Sequence, residues 1–218
     1  MQNEIEIRQY GQTFILSASR CLFWKEQEIL IISDAHFSKE THFRKNGIAV
    51  PAGIMQQDLL QISLLIKKYN PKKIIFLGDM FHSEINEGLN AFMQWRKTHP
   101  QLHLQLIVGN HDILPKAWYT FAAIECIDEY LVIENLIFSH DKMLLIPEEK
   151  INFYGHLHPA IRLYGGAKQS LRLACFVMGI NYVIMPAFGR FTGAKTIRPI
   201  ENELIFALGD NAIFPIKN

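Results

Sequence analysis

Three short, almost wholly apolar runs alternate with helix-patterned segments in the first half of the chain, and this alternation constrains the fold most. The runs cover residues 28–33, 73–77 and 102–108. Strands that are covered on both faces have this continuous apolar character. Between the runs, apolar residues recur at helical spacing from 54 to 69 and again from 89 to 96. The first half therefore predicts strands linked by helices.

Short strands are expected to dominate the second half, after a brief helical piece near 115–122. Their expected positions are about 126–133, 136–139, 151–154, 170–176, 182–185 and 204–208, and further strands precede the first buried run at 4–7, 12–17 and 21–24. A chain that alternates strand with helix and then continues as strands predicts two packed sheets rather than one doubly wound sheet. The predicted fold class is therefore α/β with two sheets.

Composition places the chain among globular proteins. It has 218 residues, of which 49% are apolar and 20% charged, and no Pro/Gly/Ser-rich linker divides it. We therefore expect one domain over residues 1–218. The net charge of +1 predicts neither a nucleic-acid nor a membrane partner by itself. Three widely spaced cysteines make no disulfide framework, which favours a reducing cytoplasm.

Membrane insertion is not expected. The N-terminus lacks a basic segment followed by an apolar one, so it does not resemble a signal peptide. The longest apolar stretch, residues 171–188, is interrupted by Arg172, Gly179, Asn181 and Pro186. It is too broken to span a bilayer, and we predict a cytoplasmic protein.

Polar side chains of the kind that bind metals follow five of the apolar runs. They are Asp34 and His36, Asp79, Asn110 and His111, His140, and His156 and His158. Side chains alternate along a strand, so we expect each pair spaced by two residues to point to the same side. Ligands in open α/β sheets collect beyond the carboxyl ends of strands. Five strand ends on one edge would bring these groups into one crevice.

That inventory is large enough for two divalent metal ions. Mixed oxygen and imidazole ligands favour manganese, iron or zinc over calcium or magnesium. Two such ions can clamp a phosphate and generate hydroxide near neutral pH, and Asp79 is the natural carboxylate to bridge them. Each piece alone has an ordinary explanation: Asp79 could cap a helix, and His140 could be a simple strand-end histidine. Five coincidences in one chain favour the metal site.

The series resembles the motifs of calcineurin-like metallophosphoesterases. Its members are Asp34-x-His36, Gly78-Asp79, Gly109-Asn110-His111-Asp112, His140 and Gly155-His156-x-His158. The resemblance implies a four-layer α/β-β/α sandwich of two mixed sheets flanked by helices. It also implies a hydrolase in which metal-bound hydroxide attacks phosphorus at a dinuclear centre, with manganese as the expected metal.

The same resemblance implies a role for each site residue. One metal would be held by Asp34, His36, Asp79 and His158, and the other by Asp79, Asn110, His140 and His156. His111 would contact the phosphate and protonate the leaving group. Asp112 would orient His111.

A narrower resemblance points to one branch of the family. Residues 42–51, 78–83, 155–159, 169–173 and 186–193 are similar to the ligase-associated DNA-damage-response endonucleases, a bacterial branch. It implies a phosphodiesterase acting on DNA in repair, with a functional link to a DNA ligase, a nuclease and a helicase. A phosphomonoesterase or nucleotide phosphohydrolase with the same site is the alternative, and a non-catalytic scaffold is a third class.

Other polar residues remain open to two interpretations. His42, Arg44, Lys45 and His82 are candidates for binding substrate phosphates, and a solvated loop explains the first three equally well. The C-terminal half also has a basic bias from Arg162, Lys168, Arg172, Arg190, Lys195 and Arg198. We favour a solvated strand surface for this set. Phe188 and Phe191 could stack on bases, and packing in a core or turn is the favoured interpretation.

Overall fold

The fold is seen in a computed structural model, which describes residues 2–9, 11–40, 47, 53–82, 87–166 and 169–216. Within these residues the chain forms two mixed β-sheets with few helices. The predicted α/β class with two mixed sheets is confirmed. None of the helices in the described ranges is long and apolar enough to cross a membrane.

The first sheet contains seven strands in chain order. They are β1 (Glu4–Gln9), β2 (Gln12–Ser17), β3 (Cys21–Trp24), β4 (Ile29–Ile32), β5 (Lys73–Leu77), β6 (His103–Ile107) and β7 (Ile124–Ile127). The first four pair antiparallel, whereas β4 to β7 pair parallel. Strands β4, β5 and β6 are buried over most of their length, as expected of strands covered on both faces. Their carboxyl ends consequently lie at one edge of the sheet.

Helices cover one face of this sheet. In the part of the chain that the structure describes they are α1 (Ile54–Tyr69), α2 (Glu87–Thr98) and α3 (Lys116–Phe121). Apolar side chains at helical spacing on α1, such as Leu59 and Ile62, pack in one core cluster with Leu30 and Phe76 of the strands. Burial of this apolar stripe is what holds a helix of this kind on a sheet.

The second sheet is built from the remaining strands. They are β8 (Tyr130–Ile133), β9 (Leu136–Ser139), β10 (Ile151–Tyr154), β11 (Pro159–Tyr164), β12 (Ser170–Met178), β13 (Tyr182–Ile184), β14 (Lys195–Thr196), β15 (Leu204–Leu208) and β16 (Ile213–Ile216). Its main path runs β14-β11-β12-β13-β10-β9-β8, and β15 joins β12 to β16. Strands β9, β10 and β13 pair parallel, so their carboxyl ends lie together.

The two sheets share the central core. Ile31 and Leu77 from the first sheet lie in one buried cluster with Phe138, Phe153 and Phe176 from the second. This packing sets the carboxyl ends of β4, β5 and β6 beside those of β9 and β10. The contact across the two sheets is seen where the amide of His156, after β10, donates to the carboxylate of Asp34, after β4, at 3.0 Å.

The prediction of a single strand over residues 126–133 is wrong. The structure divides it into β7 and β8, which belong to different sheets. Asp128 and Glu129 separate them, and polar residues of this kind favour a turn over a continuing strand. The chain therefore passes from one sheet to the other at the point where the sequence suggested a continuous strand.

Three strands were not predicted: β11, β14 and β16. Two of them contain a proline, Pro159 at the start of β11 and Pro215 within β16. Proline weakens a strand prediction because it cannot donate to the ladder. The structure accommodates Pro215 on β16, which pairs only with β15 among the described strands.

Candidate metal centre

Two groups of metal-type side chains meet between the sheets. The first contains Asp34, His36 and His158, and the second contains Asp79, His140 and His156. Within each group the ligand atoms all lie within 4.8 Å of one another. The second group also includes Asn110, whose Oδ1 lies 3.0 Å from Nε2 of His140. All seven predicted ligand residues therefore come together.

Asp79 lies between the two groups. Its Oδ1 is 3.5 Å from Nε2 of His140, and its Oδ2 is 3.8 Å from Nε2 of His36. One carboxylate oxygen thus faces each group. This is the geometry that a bridging carboxylate needs. The side chain is almost fully buried, so the position is determined by packing as well as by polar contacts.

Asp34 ties the first sheet to the second. Its carboxylate accepts the hydroxyl hydrogen bond of Ser33 and the backbone amide of His156, the latter at 3.2 Å and 3.0 Å to its two oxygens. Oδ1 also lies 3.1 Å from Nε2 of His158. A fully buried carboxylate requires such partners. Asp34 therefore holds the 155–158 segment in place as well as facing the first group.

Two imidazoles are oriented by backbone carbonyls on the side away from the centre. Nδ1–H of His140 donates to the carbonyl of Leu77 at 3.0 Å, and Nδ1–H of His158 donates to the carbonyl of Gly193 at 3.0 Å. Because a carbonyl only accepts, the proton of each ring in its neutral form stays on Nδ1, and Nε2, which faces the centre, is the nitrogen that can bind a metal. Metal-binding histidines are typically supported in this way.

The ligand residues have a strained backbone. Positive φ angles between 45° and 62° occur at Asp34, His36, Asp79, His156 and His158. The left-handed region costs a non-glycine residue roughly 1–2 kcal/mol. Strain of this kind concentrates at functional sites, where the surrounding structure maintains it.

The metal-type residues lie together for a reason that differs from the expected strand alternation. Strand β4 ends at Ile32 and β10 ends at Tyr154, so the ligands lie in the loops that follow and not on the alternating strand. His156 and His158 were expected to point to the same side. The structure instead places His156 in the second group and His158 in the first, which is the division that the family resemblance implied. Both residues have a left-handed backbone, which turns the chain at each of them.

Gly109 allows the backbone to pass close to Asp79. A Cβ atom at this position would lie 2.4 Å from both the backbone nitrogen and Oδ1 of Asp79. Real Cβ atoms do not tolerate such contacts, and the neighbour is partly backbone, so it cannot move aside cheaply. The glycine lets the 109–112 loop pass beside Asp79, where the amide of His111 donates to Oδ1 at 2.9 Å.

His111 and His82 lie beside the first group. The ring centroid of His111 is 5.5 Å from that of His36 and 4.5 Å from that of His82. Nδ1 of His82 lies 3.3 Å from Nδ1 of His36. Both predicted residues are therefore at the centre without belonging to either ligand group. His111 is partly exposed, as a group that meets substrate must be.

Asp112 has contacts that differ from the predicted ones. It was expected to orient the ring of His111, but its Oδ1 accepts the amide of Phe81 at 3.0 Å and its Oδ2 accepts the amide of Gly109 at 2.9 Å. Both oxygens are thus engaged by backbone, and Asp112 links the loop after β5 to the loop after β6. Burial raises the pKa of this carboxyl to about 7, against the effect of the two amides.

The electrostatics favour neutral imidazole at His36. Burial, followed by the charge of Lys39, lowers the pKa of His36 to about 2. The pKa of His158 is raised, because the hydrogen bond and charge of Asp34 outweigh the opposing effect of burial. Sequence reasoning missed Lys39, whose ammonium also interacts with Asp34 and Asp79. Its position five residues after Asp34 was the only available signal.

The three other predicted substrate-binding residues, His42, Arg44 and Lys45, lie outside the described residues. The exposure of the centre is uneven. Asp34, His36, Asp79 and His140 are buried, whereas Asn110 and His156 are exposed. The centre is therefore closed on the side of the sheets and open beside Asn110 and His156.

A family model for calcineurin-like phosphoesterases matches residues 28–185. The chain belongs to the calcineurin-like phosphoesterase family. The matched segment contains every residue of both ligand groups. This agrees with the resemblance carried by the motif series. No curated protein sequence matches the chain.

Solved structures extend the comparison. The nuclease MPE of Pseudomonas putida shares 28% identity with this calcineurin-like phosphoesterase at a TM-score of 0.84, over 98% of this chain and 100% of that one. A phosphoesterase of Escherichia coli, Yfce, shares 14% identity at a TM-score of 0.47, over 86% of this chain and 97% of that one. The likeness to Yfce is too low to support a functional argument.

The donor set fits two divalent metal ions. Imidazole nitrogens lie close together, at 3.3 Å between Nε2 of His36 and Nε2 of His158 and at 3.0 Å between Nε2 of His140 and Nδ1 of His156. Buried carboxylates lie beside them, and carbonyls orient two of the rings. This combination of imidazole, carboxylate and amide ligands is suited to manganese, iron or zinc. Members of this family typically bind two divalent metals.

Proposed function

We propose that the protein is a two-metal-dependent phosphodiesterase that cleaves DNA, acting as an endonuclease in bacterial DNA repair. The observation that carries the proposal is the full-length likeness to the Pseudomonas putida nuclease, at 28% identity and a TM-score of 0.84. Membership of the phosphoesterase family supports the class of reaction. The two ligand groups support its dependence on metal.

Asp79 is the proposed bridge between two metals. One metal would be held by Asp34, His36 and His158 with Asp79, and the other by Asn110, His140 and His156 with Asp79. The opposed oxygens of Asp79 support this division, because one faces His36 and the other His140. We propose manganese as the native metal, since mixed oxygen and imidazole ligands suit it.

The metals, when bound, would polarise the phosphoester and activate a water molecule for in-line attack on phosphorus. The remaining chemistry belongs to the chain. The ring of His111 lies 5.5 Å from that of His36 and is partly exposed, so its imidazole can donate a proton to the departing oxygen. The backbone amide of His111 donates to Asp79, and this hydrogen bond fixes the position of the backbone from which the imidazole extends. His82 contacts His36 and lies beside His111, from where it can bind a phosphate oxygen.

The biological setting follows from the narrower resemblance. A repair role with a functional link to a DNA ligase, a nuclease and a helicase, and a location in the cytoplasm, are parts of the proposal. Buried free thiols at Cys21 and Cys175 are consistent with a reducing compartment.

A substrate screen after metal exchange tests the function. Purified protein is stripped with chelator, reloaded with manganese and assayed in parallel on single-stranded DNA, a cyclic dinucleotide, a small phosphodiester and small phosphomonoesters. We expect manganese-dependent cleavage of DNA and of the small diester. Asp79→Ala is the inactive control for contaminating nucleases.

Two outcomes would contradict the proposal. Activity confined to monoesters would identify a phosphomonoesterase or nucleotide phosphohydrolase. Absence of bound metal together with absence of activity after manganese addition would indicate a scaffold.

A further inference from the structure

A cleft beside the metal centre is lined by arginines. Its volume is about 730 Å³, and Arg20, Arg172 and Arg190 line it. A smaller cleft of about 170 Å³ shares these three arginines and also reaches His158. The arginines therefore lie between a wide cleft and a residue of the first ligand group. They come from three separate parts of the chain.

Arg190 is held near the centre by the backbone of its loop. The amide of Phe188 donates to the carbonyl of Ser33 at 2.8 Å, and the amide of Gly189 donates to the carbonyl of Asp34 at 3.2 Å. A Cβ on Gly189 would lie 2.4 Å from the carbonyl oxygen of Ala35, so the loop packs directly on the chain that carries Asp34. This packing determines that the next residue, Arg190, lies beside the metal centre.

Arg20 approaches the same loop from the β2–β3 turn. Its Nη1 lies 3.5 Å from the carbonyl of Ala187. Burial lowers the pKa of Arg20, and the positive charge of Arg190 lowers it further. Two guanidinium groups are thus close enough to repel each other. An anion between them would relieve that repulsion.

Arg172 adds a third positive charge from β12. Its partner in register on β11 is Arg162, so two like charges lie directly opposite each other on antiparallel strands. Such a pair is destabilising unless something compensates it. Arg162 donates to Ser170 at 3.0 Å, whereas Arg172 is exposed and borders both clefts.

The carboxylates of the cleft do not neutralise this charge fully. Asp58 lies 3.8 Å from Nε of Arg190, and Asp210 also borders the cleft. Burial raises the pKa of Asp58 to about 7, although Arg190 opposes the shift. Burial thus opposes the negative charge of Asp58. Three arginines outnumber the two carboxylates that border the cleft, and this excess of positive charge makes a site for an anion.

We propose that Arg20, Arg172 and Arg190 bind a backbone phosphate of a nucleic-acid strand next to the scissile phosphate. This inference rests on the proposed phosphodiesterase function. The planar guanidinium group is suited to phosphate because it donates two parallel hydrogen bonds. The subsite lies beyond His158, so a strand whose scissile phosphate occupies the metal centre continues directly into the cleft. Arg172 and Arg190 are thereby assigned to substrate and not to a solvated surface.

Loss of an arginine from the subsite should lower activity on oligonucleotides but not on small phosphodiesters. Arg172→Gln and Arg190→Gln should each lower kcat/KM for an oligonucleotide by about tenfold, since each removes a charge-assisted hydrogen bond to phosphate. Hydrolysis of a small phosphodiester, which has no neighbouring phosphate, should be unchanged. Affinity for a fluorescent oligonucleotide in chelator should weaken about tenfold as well, with a salt dependence shallower by about 0.7 per lost charge.

Arg8→Gln is the matched control. Arg8 is exposed on β1 and pairs with Thr13, at the other end of the hairpin from the turn that carries Arg20. This variant should match the wild type on every substrate. Oligodeoxynucleotides and oligoribonucleotides are measured side by side, because a phosphate contact alone does not separate DNA from RNA.

The outcomes separate the subsite from the function. Wild-type values for oligonucleotide binding and cleavage in both arginine variants would overturn the subsite and leave the phosphodiesterase function intact. If the wild-type protein cleaves no diester, the function fails. The binding measurement in chelator then decides the subsite alone. Arg172 is exposed, so its variant remains informative even if Arg190→Gln disturbs Asp58.

Discussion

The backbone amide of His111 donates a hydrogen bond to Oδ1 of Asp79 at 2.9 Å. The proposed bridging carboxylate therefore also positions the loop that carries the proposed acid. The proposed metal binding and the proposed proton donation would thus be coupled through one side chain. Substitutions at these two residues should accordingly have different effects on metal, activity and stability.

Asp79 is expected to be required for metal binding and for the position of the loop that carries His111. Asp79→Asn keeps an oxygen that can accept from His111 but loses the negative charge, and Asp79→Ala loses both. Both variants should lose metal and turnover. Asp79→Ala should also be less stable than Asp79→Asn, by about 1–3 kcal/mol, because the amide of His111 is left without its partner.

Metal analysis, activity assays and thermal unfolding check this pair of variants. Asp128→Asn is a suitable control, since Asp128 is an exposed carboxylate that lies 3.7 Å from Lys116 and belongs to neither ligand group. Near-wild-type turnover in either Asp79 variant would sink the assignment of Asp79 as the bridge.

Loss of the His111 side chain is expected to impair proton donation and to leave metal binding unchanged. His111→Ala should lower kcat for DNA by about 10²–10⁴-fold, the usual contribution of a general acid. The loss should be much smaller for a nitrophenyl diester, because that leaving group departs without a proton. Bound metal should remain at the wild-type level.

Kinetics on both substrates with metal analysis check the prediction for His111. His103→Asn provides a control, since His103 lies at the opposite end of β6 from the centre and pairs with Glu125 at 2.8 Å. Equal losses on the two substrates would argue against an acid role.

Gly109→Ala should displace Asp79. The added Cβ would lie 2.4 Å from the nitrogen and Oδ1 of Asp79, so either the loop or the carboxylate must move. Overpacking of this kind costs about 1–3 kcal/mol. We expect a lower melting temperature and weaker manganese binding, measured by calorimetry. Gly166→Ala, at a position with open space around it, should change neither. Unaltered metal affinity in Gly109→Ala would contradict the proposed geometry.

The raised pKa of Asp58 predicts how the stability of the fold changes with pH. Burial raises its pKa to about 7, with Arg190, Glu40 and Arg20 as the charged groups that face it. A carboxyl whose folded pKa is raised stabilises the fold while it is protonated, so this contribution is complete below about pH 4 and is lost as pH rises through about 7. Asp58→Asn removes the ionisation.

Melting temperatures of the wild type and Asp58→Asn between pH 5 and pH 8 check this. The two proteins should be similar at the acidic end, and the variant should gain relative to the wild type as pH rises. A difference that is constant with pH would show that Asp58 does not titrate in this range.

The ligand set was predictable because each member follows an apolar run. Such runs become buried strands, and strands that pair parallel in a sheet end at the same edge. Asp34, His140 and His156 could therefore be expected together from their positions in the sequence. The single-domain prediction for residues 1–218, and the roles proposed for His42, Arg44 and Lys45, remain predictions.

Other features of the site depended on contacts that local sequence does not contain. The division of His156 and His158 between two groups, which the family resemblance implied, has its physical origin in the left-handed backbone of the loop and not in strand alternation. The engagement of Asp112 by the amides of Phe81 and Gly109 depends on how two loops meet. The same applies to the arginine cleft: Arg172 and Arg190 were interpreted as part of a solvated surface, and nothing in the local sequence singled out Arg20.

The sequence by itself determined the class of fold and the chemistry of the centre. Apolar periodicity decides which segments are buried strands or helices, and residue type decides which atoms can bind a metal or donate a proton. The tertiary structure alone decided the geometry: which oxygen of Asp79 faces which group, and which arginines share a cleft with His158. The physical reason is that these relationships arise from packing one sheet against the other. That packing brings together residues 122 positions apart, such as His36 and His158.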